Sequence, residues 1–189
     1  WVTNFPQECQ RTPVNQGFVG AIASAITNAF SASWLGKLFT GTRAHSIRIV
    51  GLDSAGKTTI LYRLKLGKVI PTIPTIGYNV DTVVHQNVTF SVWDLGGQER
   101  LRPLWRERFR DAAAVIFVVD CHNHDRITEA HWACGTAKDE LQRLMEDEML
   151  SHTVFLILAN KQDLPGAWKP EVVADKLGIK EVRSRMPWC

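Results

Sequence analysis

From Ala44 onward the chain alternates between two apolar rhythms. Ile47-Arg48-Ile49-Val50 is a short β-prone run, so a first strand is expected over Ser46–Gly51. Thr59-Ile60-Leu61-Tyr62-Arg63-Leu64 then carries a helix over Thr58–Leu66. Residues 67–77 hold Pro71 and Pro74 and read as an extended loop. Val80, Thr82 and Val84 alternate with polar neighbours, break at Gln86-Asn87, and resume as Val88, Phe90 and Val92. That spacing predicts an antiparallel hairpin with one buried face. Ala112–Asp120 and Thr153–Ala159 are unbroken apolar runs, the pattern of parallel strands covered on both sides. Ile127–Leu150 is mostly helix-forming, and Pro170 opens a last short helix ending at Leu177. The alternation predicts a doubly wound α/β sheet, mostly parallel with one antiparallel edge hairpin. In such a sheet, ligands meet the carboxyl ends of the strands.

Upstream the pattern changes. Residues 1–19 contain Pro6, Pro13, Gly17 and several amides with no apolar period, and read as a disordered leader. In residues 20–43, Ile22, Ile26, Phe30, Trp34 and Leu38 recur every four positions, and Ser24, Thr27, Asn28 and Ser31 fall on the other face. This is an amphipathic helix followed by a linker. Its apolar side suits either an interfacial membrane position with a Trp anchor or packing on the domain that spans 44–189.

Bulk properties narrow the class. The 189 residues are 45% hydrophobic and 22% charged, as in one ordinary globular domain. A net charge of +3 is too mild to argue for nucleic acid, though it tolerates an anionic membrane surface. Cys9, Cys121, Cys134 and Cys189 show no disulfide framework, which favours a reducing compartment. Arg100, Arg102, Arg106, Arg108 and Arg110 form a basic run, but Glu99 and Glu107 interrupt it and no aromatic series accompanies it. A solvated helix is the expectation there.

The chemistry sits in three loops after strands. Gly51-Leu52-Asp53-Ser54-Ala55-Gly56-Lys57-Thr58 fits G-x-x-x-x-G-K-[ST] between a strand and a helix. In that loop the backbone N–H groups face phosphate oxygens, Lys57 reaches the β/γ-phosphates, and the Thr58 hydroxyl ligates Mg²⁺. After the hairpin comes Trp93-Asp94-Leu95-Gly96-Gly97-Gln98. Asp94 can support the Mg²⁺ shell, Gly97 can offer its N–H to the γ-phosphate, and Gln98 can orient an attacking water. The third loop is Asn160-Lys161-Gln162-Asp163. The Asp163 carboxylate can accept from the two guanine donors that adenine lacks, Lys161 can lie along the base plane, and Asn160 can tie this loop to the phosphate loop. An ATP-using enzyme is disfavoured by Asp163.

With these three loops, Pro71-Thr72-Ile73-Pro74-Thr75-Ile76-Gly77, Arg102-Pro103-Leu104-Trp105-Arg106 and Ala159–Pro165, the chain resembles the small GTPases of the ADP-ribosylation factor (Arf) family over residues 44–186. The resemblance implies a P-loop NTPase fold and a Mg²⁺-dependent GTP/GDP switch. It implies nucleotide contacts from Gly51 to Thr59 and from Thr75, Asp94, Gly97, Asn160, Lys161 and Asp163, with Thr58 and Thr75 on the metal and Gln98 catalytic. Hydrolysis would be slow without a GTPase-activating protein, whose arginine finger is worth roughly 10³–10⁵ in rate. An exchange factor, effectors or coat proteins, and a reversibly bound Golgi or other endomembrane surface complete the implied cycle of a cytoplasmic protein in vesicle traffic. In the family, the hairpin shifts register on GTP binding and expels the N-terminal helix onto the membrane.

Four features depart from the family pattern. No Met precedes Gly17, Gly20 or Gly36, so a myristoylated Gly is not marked. The aromatic triplet that faces effectors maps onto Tyr78, Trp93 and Arg108, with Arg108 in an aromatic position. His131–Ala137 reads as an insertion in the third helix, with a break or bulge expected at Gly135. This region also gathers Cys121, His122, His124, His131 and Cys134, whose spacing matches no standard zinc site, so strand-end and loop roles are expected. Finally, the sequence stops at Cys189, before the family's last strand, its second guanine loop and its closing helix. Val154–Leu158 is then expected to be an open sheet edge, with weakened nucleotide retention. The competing expectation to a cycling switch is a truncated remnant that binds partners without turning nucleotide over.

Overall fold

The computed structural model describes residues 2–4, 45–85, 88–128 and 135–179. Its elements are β1 (Val2–Asn4), β2 (His45–Val50), α1 (Lys57–Leu66), β3 (Tyr78–His85) and β4 (Val88–Leu95). A 3-10 helix (Glu99–Arg108), β5 (Ala114–Asp120), α2 (Asp125–Thr128) and α3 (Ala137–Met145) follow. A short 3-10 turn (Glu148–Leu150), β6 (Val154–Asn160) and α4 (Pro170–Lys176) end the described chain. The six-stranded sheet runs β1-β6-β5-β2-β4-β3, all parallel except the β3–β4 hairpin at one edge. The fold is a doubly wound α/β sheet, mostly parallel with one antiparallel edge hairpin, as the alternation of strand and helix implied.

The continuous apolar runs behave as two-sided strands should. Val115, Phe117 and Val119 of β5 face one core with Trp105, Phe109, Ile127, Leu141, Leu144 and Val173. Ala114, Ile116 and Val118 face the other, with Ile60, Leu61, Ile49, Phe90 and Leu156. Burying side chains alternately on both faces fixes the register, because a slip of one residue would exchange the two cores. The loops after β2, β4 and β6 therefore emerge from strand ends held in register.

Two differences from the sequence reading follow from tertiary context. The outer edge of β6 is not open. Val2, Thr3 and Asn4 pair with it in parallel, opposite Ile157, Leu158 and Ala159. An unpaired edge offers a row of N–H and C=O groups, and an extended segment beginning with two β-branched residues satisfies them. The leader reading thus gives way at Val2–Asn4, while residues 5–44, including the amphipathic stretch 20–43, lie outside the described residues, as does the Gln86-Asn87 turn.

The basic run folds as a 3-10 helix rather than a uniformly solvated one. Pro103 removes the N–H that would close an α-turn onto Glu99. Arg102 and Trp105, three residues apart and so on one face of a 3-10 helix, are both buried, which corrects the solvated reading for Arg102.

The long helix-forming stretch 127–150 is broken. The chain is left-handed at Gly135 (φ 59°), and α3 starts afresh with Thr136 and Asp139 in a reciprocal capping box. The break expected at Gly135 is there; residues 129–134 lie outside the described residues.

Candidate functional site: a phosphate loop, a hydroxyl–carboxylate cluster and a base loop

β2 delivers the chain into the phosphate loop, and α1 begins at Lys57. Ser54 sits at φ 61°, a conformation that non-glycine residues rarely adopt, and on either side of it the Asp53 N–H donates to the Gly97 carbonyl at 3.1 Å and the Ala55 N–H to the Leu52 carbonyl at 3.4 Å. Lys57 is buried and its Nζ donates to the Leu52 carbonyl at 2.8 Å. Burial pulls its pKa down to about 8, against the attraction of Asp94 and Asp53. An ammonium so desolvated gains strongly from an arriving phosphate. The Thr59 hydroxyl lies 3.4 Å from that of Thr72, linking α1 to the extended loop.

Thr58, Thr75 and Asp94 meet behind this loop. Thr58 Oγ1 donates to Asp94 Oδ2 at 2.6 Å and lies 2.9 Å from Thr75 Oγ1, which in turn donates to the same carboxylate oxygen at 3.2 Å. Asp94 is fully buried at the end of β4, and burial pushes its carboxyl above the usual range while the Thr58 hydroxyl opposes that push. Among the described residues no hydrogen bond reaches its buried Oδ1, though the Asn79 side chain also lowers the carboxyl's pKa. Two hydroxyls and a carboxylate are hard oxygen donors of the kind magnesium takes, and an orphaned buried carboxylate oxygen fits a neighbouring cation. The residues present suit the ion.

Gly97 is pressed onto the phosphate loop. Its carbonyl accepts from the Asp53 N–H at 3.1 Å and from Arg102 Nε at 3.0 Å. A Cβ on Gly97 would stand 2.5 Å from Asp53 N and from Gly51 O, so no other residue fits. Trp105 Nε1 donates to the Gly96 carbonyl at 2.8 Å, and the Gly96 N–H donates to Gly77 at 2.9 Å. Gln98, immediately before the 3-10 helix, is exposed and extended.

The base loop is held from below. Asn160 Nδ2 donates to the Ala55 carbonyl at 2.7 Å, joining base loop to phosphate loop. Lys161 is left-handed (φ 62°) and its Nζ pairs with Asp120 Oδ2 at 2.6 Å, while Asp163 is exposed. The Cys121 N–H donates to the Asn160 carbonyl at 3.1 Å, and His124 stacks on Trp168 with centroids 4.1 Å apart. His122 and His124 engage the carbonyls of Pro165 and Gly166. Cys121 is fully buried with its thiol pushed up to about 12, so these residues brace loops; His131 and Cys134 lie outside the described residues.

The structure thus gathers Gly51–Thr59, Thr75, Asp94 and Gly97 on one side and links them to Asn160. It also reveals partners that the sequence reading missed. Arg126 grips Asp53 with two bonds of 2.6 and 3.0 Å, holding that carboxyl below its ordinary range. Asp120 holds Lys161, and buried Arg48 bonds the Arg108 and Arg110 carbonyls. The only sequence signal for these was an acidic residue inside the phosphate loop, which demands a cation nearby. The triplet of Tyr78, Trp93 and Arg108 does assemble. Tyr78 stacks on Trp93 at 5.3 Å, and Arg108 lies over Tyr78 at 4.5 Å, where an aromatic ring would otherwise extend the stack.

Comparison with known proteins agrees with this geometry. The model of the ADP-ribosylation factor family matches residues 31–189. A solved structure of the Arl6 (BBS3) small GTPase from Trypanosoma brucei, with the nucleotide analogue GppNp bound, is similar at 32% identity and a TM-score of 0.65. The match covers 75% of this chain and 81% of that one. The chain belongs to the ADP-ribosylation factor family of small GTPases.

Proposed function

We propose that this protein is a magnesium-dependent GTP/GDP switch in vesicle-mediated membrane traffic. The observation that carries the reading is the closure of Thr75 onto Thr58 and Asp94, with Oγ1–Oγ1 and Oγ1–Oδ2 separations of 2.9 and 3.2 Å. This brings the extended loop, the first helix and the end of β4 to one point beside Lys57. A loop that closes on such a point can respond to whether a terminal phosphate is present.

Each group then has a task. The backbone of Gly51–Lys57, with Lys57 Nζ and Thr59, binds the phosphates; Asn160, Lys161 and Asp163 bind guanine. Thr58 and Thr75, backed by Asp94, would hold Mg²⁺, which supplies charge neutralisation across the β- and γ-phosphates. Gly97 offers its N–H toward the terminal phosphate. Gln98, exposed beside Gly97, orients the attacking water, and the proton leaves with the product phosphate. Hydrolysis stays slow until a GTPase-activating protein supplies a cation, and an exchange factor reopens the loops. The Tyr78–Trp93–Arg108 face meets effectors or coat proteins, and residues 20–43 meet a Golgi or other endomembrane surface. The coupled ring and guanidinium stack, with Arg108 in an aromatic position, supports an effector set different from that of relatives with three rings.

Mass spectrometry of nucleotide released from the purified protein tests the reading. Guanine nucleotide is expected; adenine nucleotide would overturn it. Single-turnover hydrolysis with a GTPase-activating protein then tests Gln98: Gln98→Leu abolishes stimulated hydrolysis with GTP binding intact.

A further inference from the structure

Arg102 is the most buried cation near the site, 2% exposed in its side chain, and no step above uses it. It joins three separate elements. Its Nε donates to the Gly97 carbonyl at 3.0 Å, its Nη1 pairs with Glu140 Oε1 on α3 at 3.4 Å, and its Nη2 lies 3.7 Å from Asp53 Oδ1 on the phosphate loop. Both carboxylates have a second cation. Arg126 holds Asp53 at 2.6 Å and Arg143 holds Glu140 at 2.7 Å. The result is a chain of alternating charge, Arg126–Asp53–Arg102–Glu140–Arg143, running from the phosphate loop to α3.

The electrostatics of this chain depend on what the phosphate loop holds. Asp53 is the loop's own anion and its N–H already donates to Gly97. A terminal phosphate adds negative charge beside Asp53 and draws on Lys57 and the Gly97 peptide. Arg102, like Lys57, lies in reach of both Asp53 and Gly97, but Arg102 alone of the two also pairs with Glu140, and its planar fork spreads its donors in fixed directions toward a carbonyl and two carboxylates where a lysine has them on one compact nitrogen. Coulomb interaction is weakly screened between Arg102 and Glu140, 2% and 13% exposed, whereas Asp53 and Arg143 are partly solvated, so a charge change at Asp53 reaches Glu140 through Arg102 and fades beyond it.

We propose that Arg102 is a positioning residue that fixes the Gly97 peptide against the phosphate loop and passes the terminal-phosphate state to α3 through Glu140. This rests on the guanine-nucleotide reading of the site. The surface that responds is then the start of α3, a different element from the β3–β4 hairpin that carries Tyr78 and Trp93.

The test compares dissociation of fluorescent GDP and fluorescent GppNp from the full chain, in wild type, Arg102→Lys and the near-isosteric Glu140→Gln. Arg102→Lys speeds GppNp release roughly tenfold with GDP release changed less than about twofold. Glu140→Gln moves GppNp release the same way, roughly threefold, because it weakens the outer arm only. A purely structural role would change both nucleotides by one factor, and that outcome, or no change in either, overturns the inference. Should Arg102→Lys fail to fold, Glu140→Gln decides alone by the same criterion. If wild type takes up neither guanine nucleotide, the reading of the site fails first; if it takes up both and the variants show no selectivity, only this inference fails.

Discussion

Asn160 at the end of β6 donates its side-chain amide to the carbonyl of Ala55 in the phosphate loop, 2.7 Å away and 105 residues earlier. The bond joins the loop after β6 to the loop after β2, the two loops that the proposed function assigns to the base and the phosphates. Replacing Asn160 by Ala leaves the Ala55 carbonyl without this donor, at a cost of about 1–3 kcal/mol. The expected outcome is a five- to hundred-fold loss of affinity, roughly equal for GDP and GTP. Isothermal titration measures it, and unchanged affinity for both would show the bond to be redundant.

Chelation tests the hydroxyl–carboxylate cluster. With Thr58, Thr75 and Asp94 sharing one carboxylate oxygen, magnesium and nucleotide should be held together. EDTA is expected to speed GDP release from wild type by roughly tenfold or more, a loss of over about 1.4 kcal/mol. In Thr58→Ala, release is already fast and EDTA changes it little. A variant that kept the wild-type response to EDTA would remove Thr58 from the metal shell.

Most of the fold and the centre of the site were legible in the sequence, for a physical reason. Strands buried on both faces must be apolar throughout, as the run 114–119 is, and a loop that binds phosphate needs glycine and lysine at fixed spacing. Arg102 was not legible. Its neighbours Arg100 and Arg106 and the interleaved glutamates look like a solvated face, and only the 3-10 winding turns Arg102 inward with Trp105. The Asp53–Arg126 pair spans 73 residues, and no local pattern encodes such a partner. Val2–Asn4 is too short for an alternation to register; it is a strand because β6 presents an edge to it.

Acid titration reads the Asp53–Arg126 pair. Arg126 holds the Asp53 carboxyl below its ordinary value of 3.8, so the folded state binds this proton less readily than the unfolded chain. The pair's contribution is fully present above that value and is lost as pH falls through the lower folded value. Urea midpoints of wild type and Asp53→Asn should differ by a constant amount above about pH 5 and converge below about pH 4. A difference that widened on acidification would contradict the stabilisation of the ionised carboxylate.

Cys121 should be chemically silent. Its thiol is fully buried at the end of β5 and pushed up to about 12, so almost no thiolate exists near neutrality. Alkylation with iodoacetamide at pH 8, followed by peptide mapping, is expected to leave Cys121 unmodified in native protein and label it fully in denaturant. Rapid native labelling would mean that the loop from Cys121 to His124 opens often.

The pairing of Val2–Asn4 with β6 brings two distant stretches of sequence to one edge of the sheet. Asn4 lies opposite Ala159, beside the base loop, whereas His45 enters β2 opposite Phe90, toward the other end of the sheet. Asn4 and His45 are thus held at two separate places in one sheet. A three-residue ladder on β6 and the packing of β1 against α4 brace the strand that carries Asn160 from its outer side, so the last strand of the described sheet is clamped on both edges.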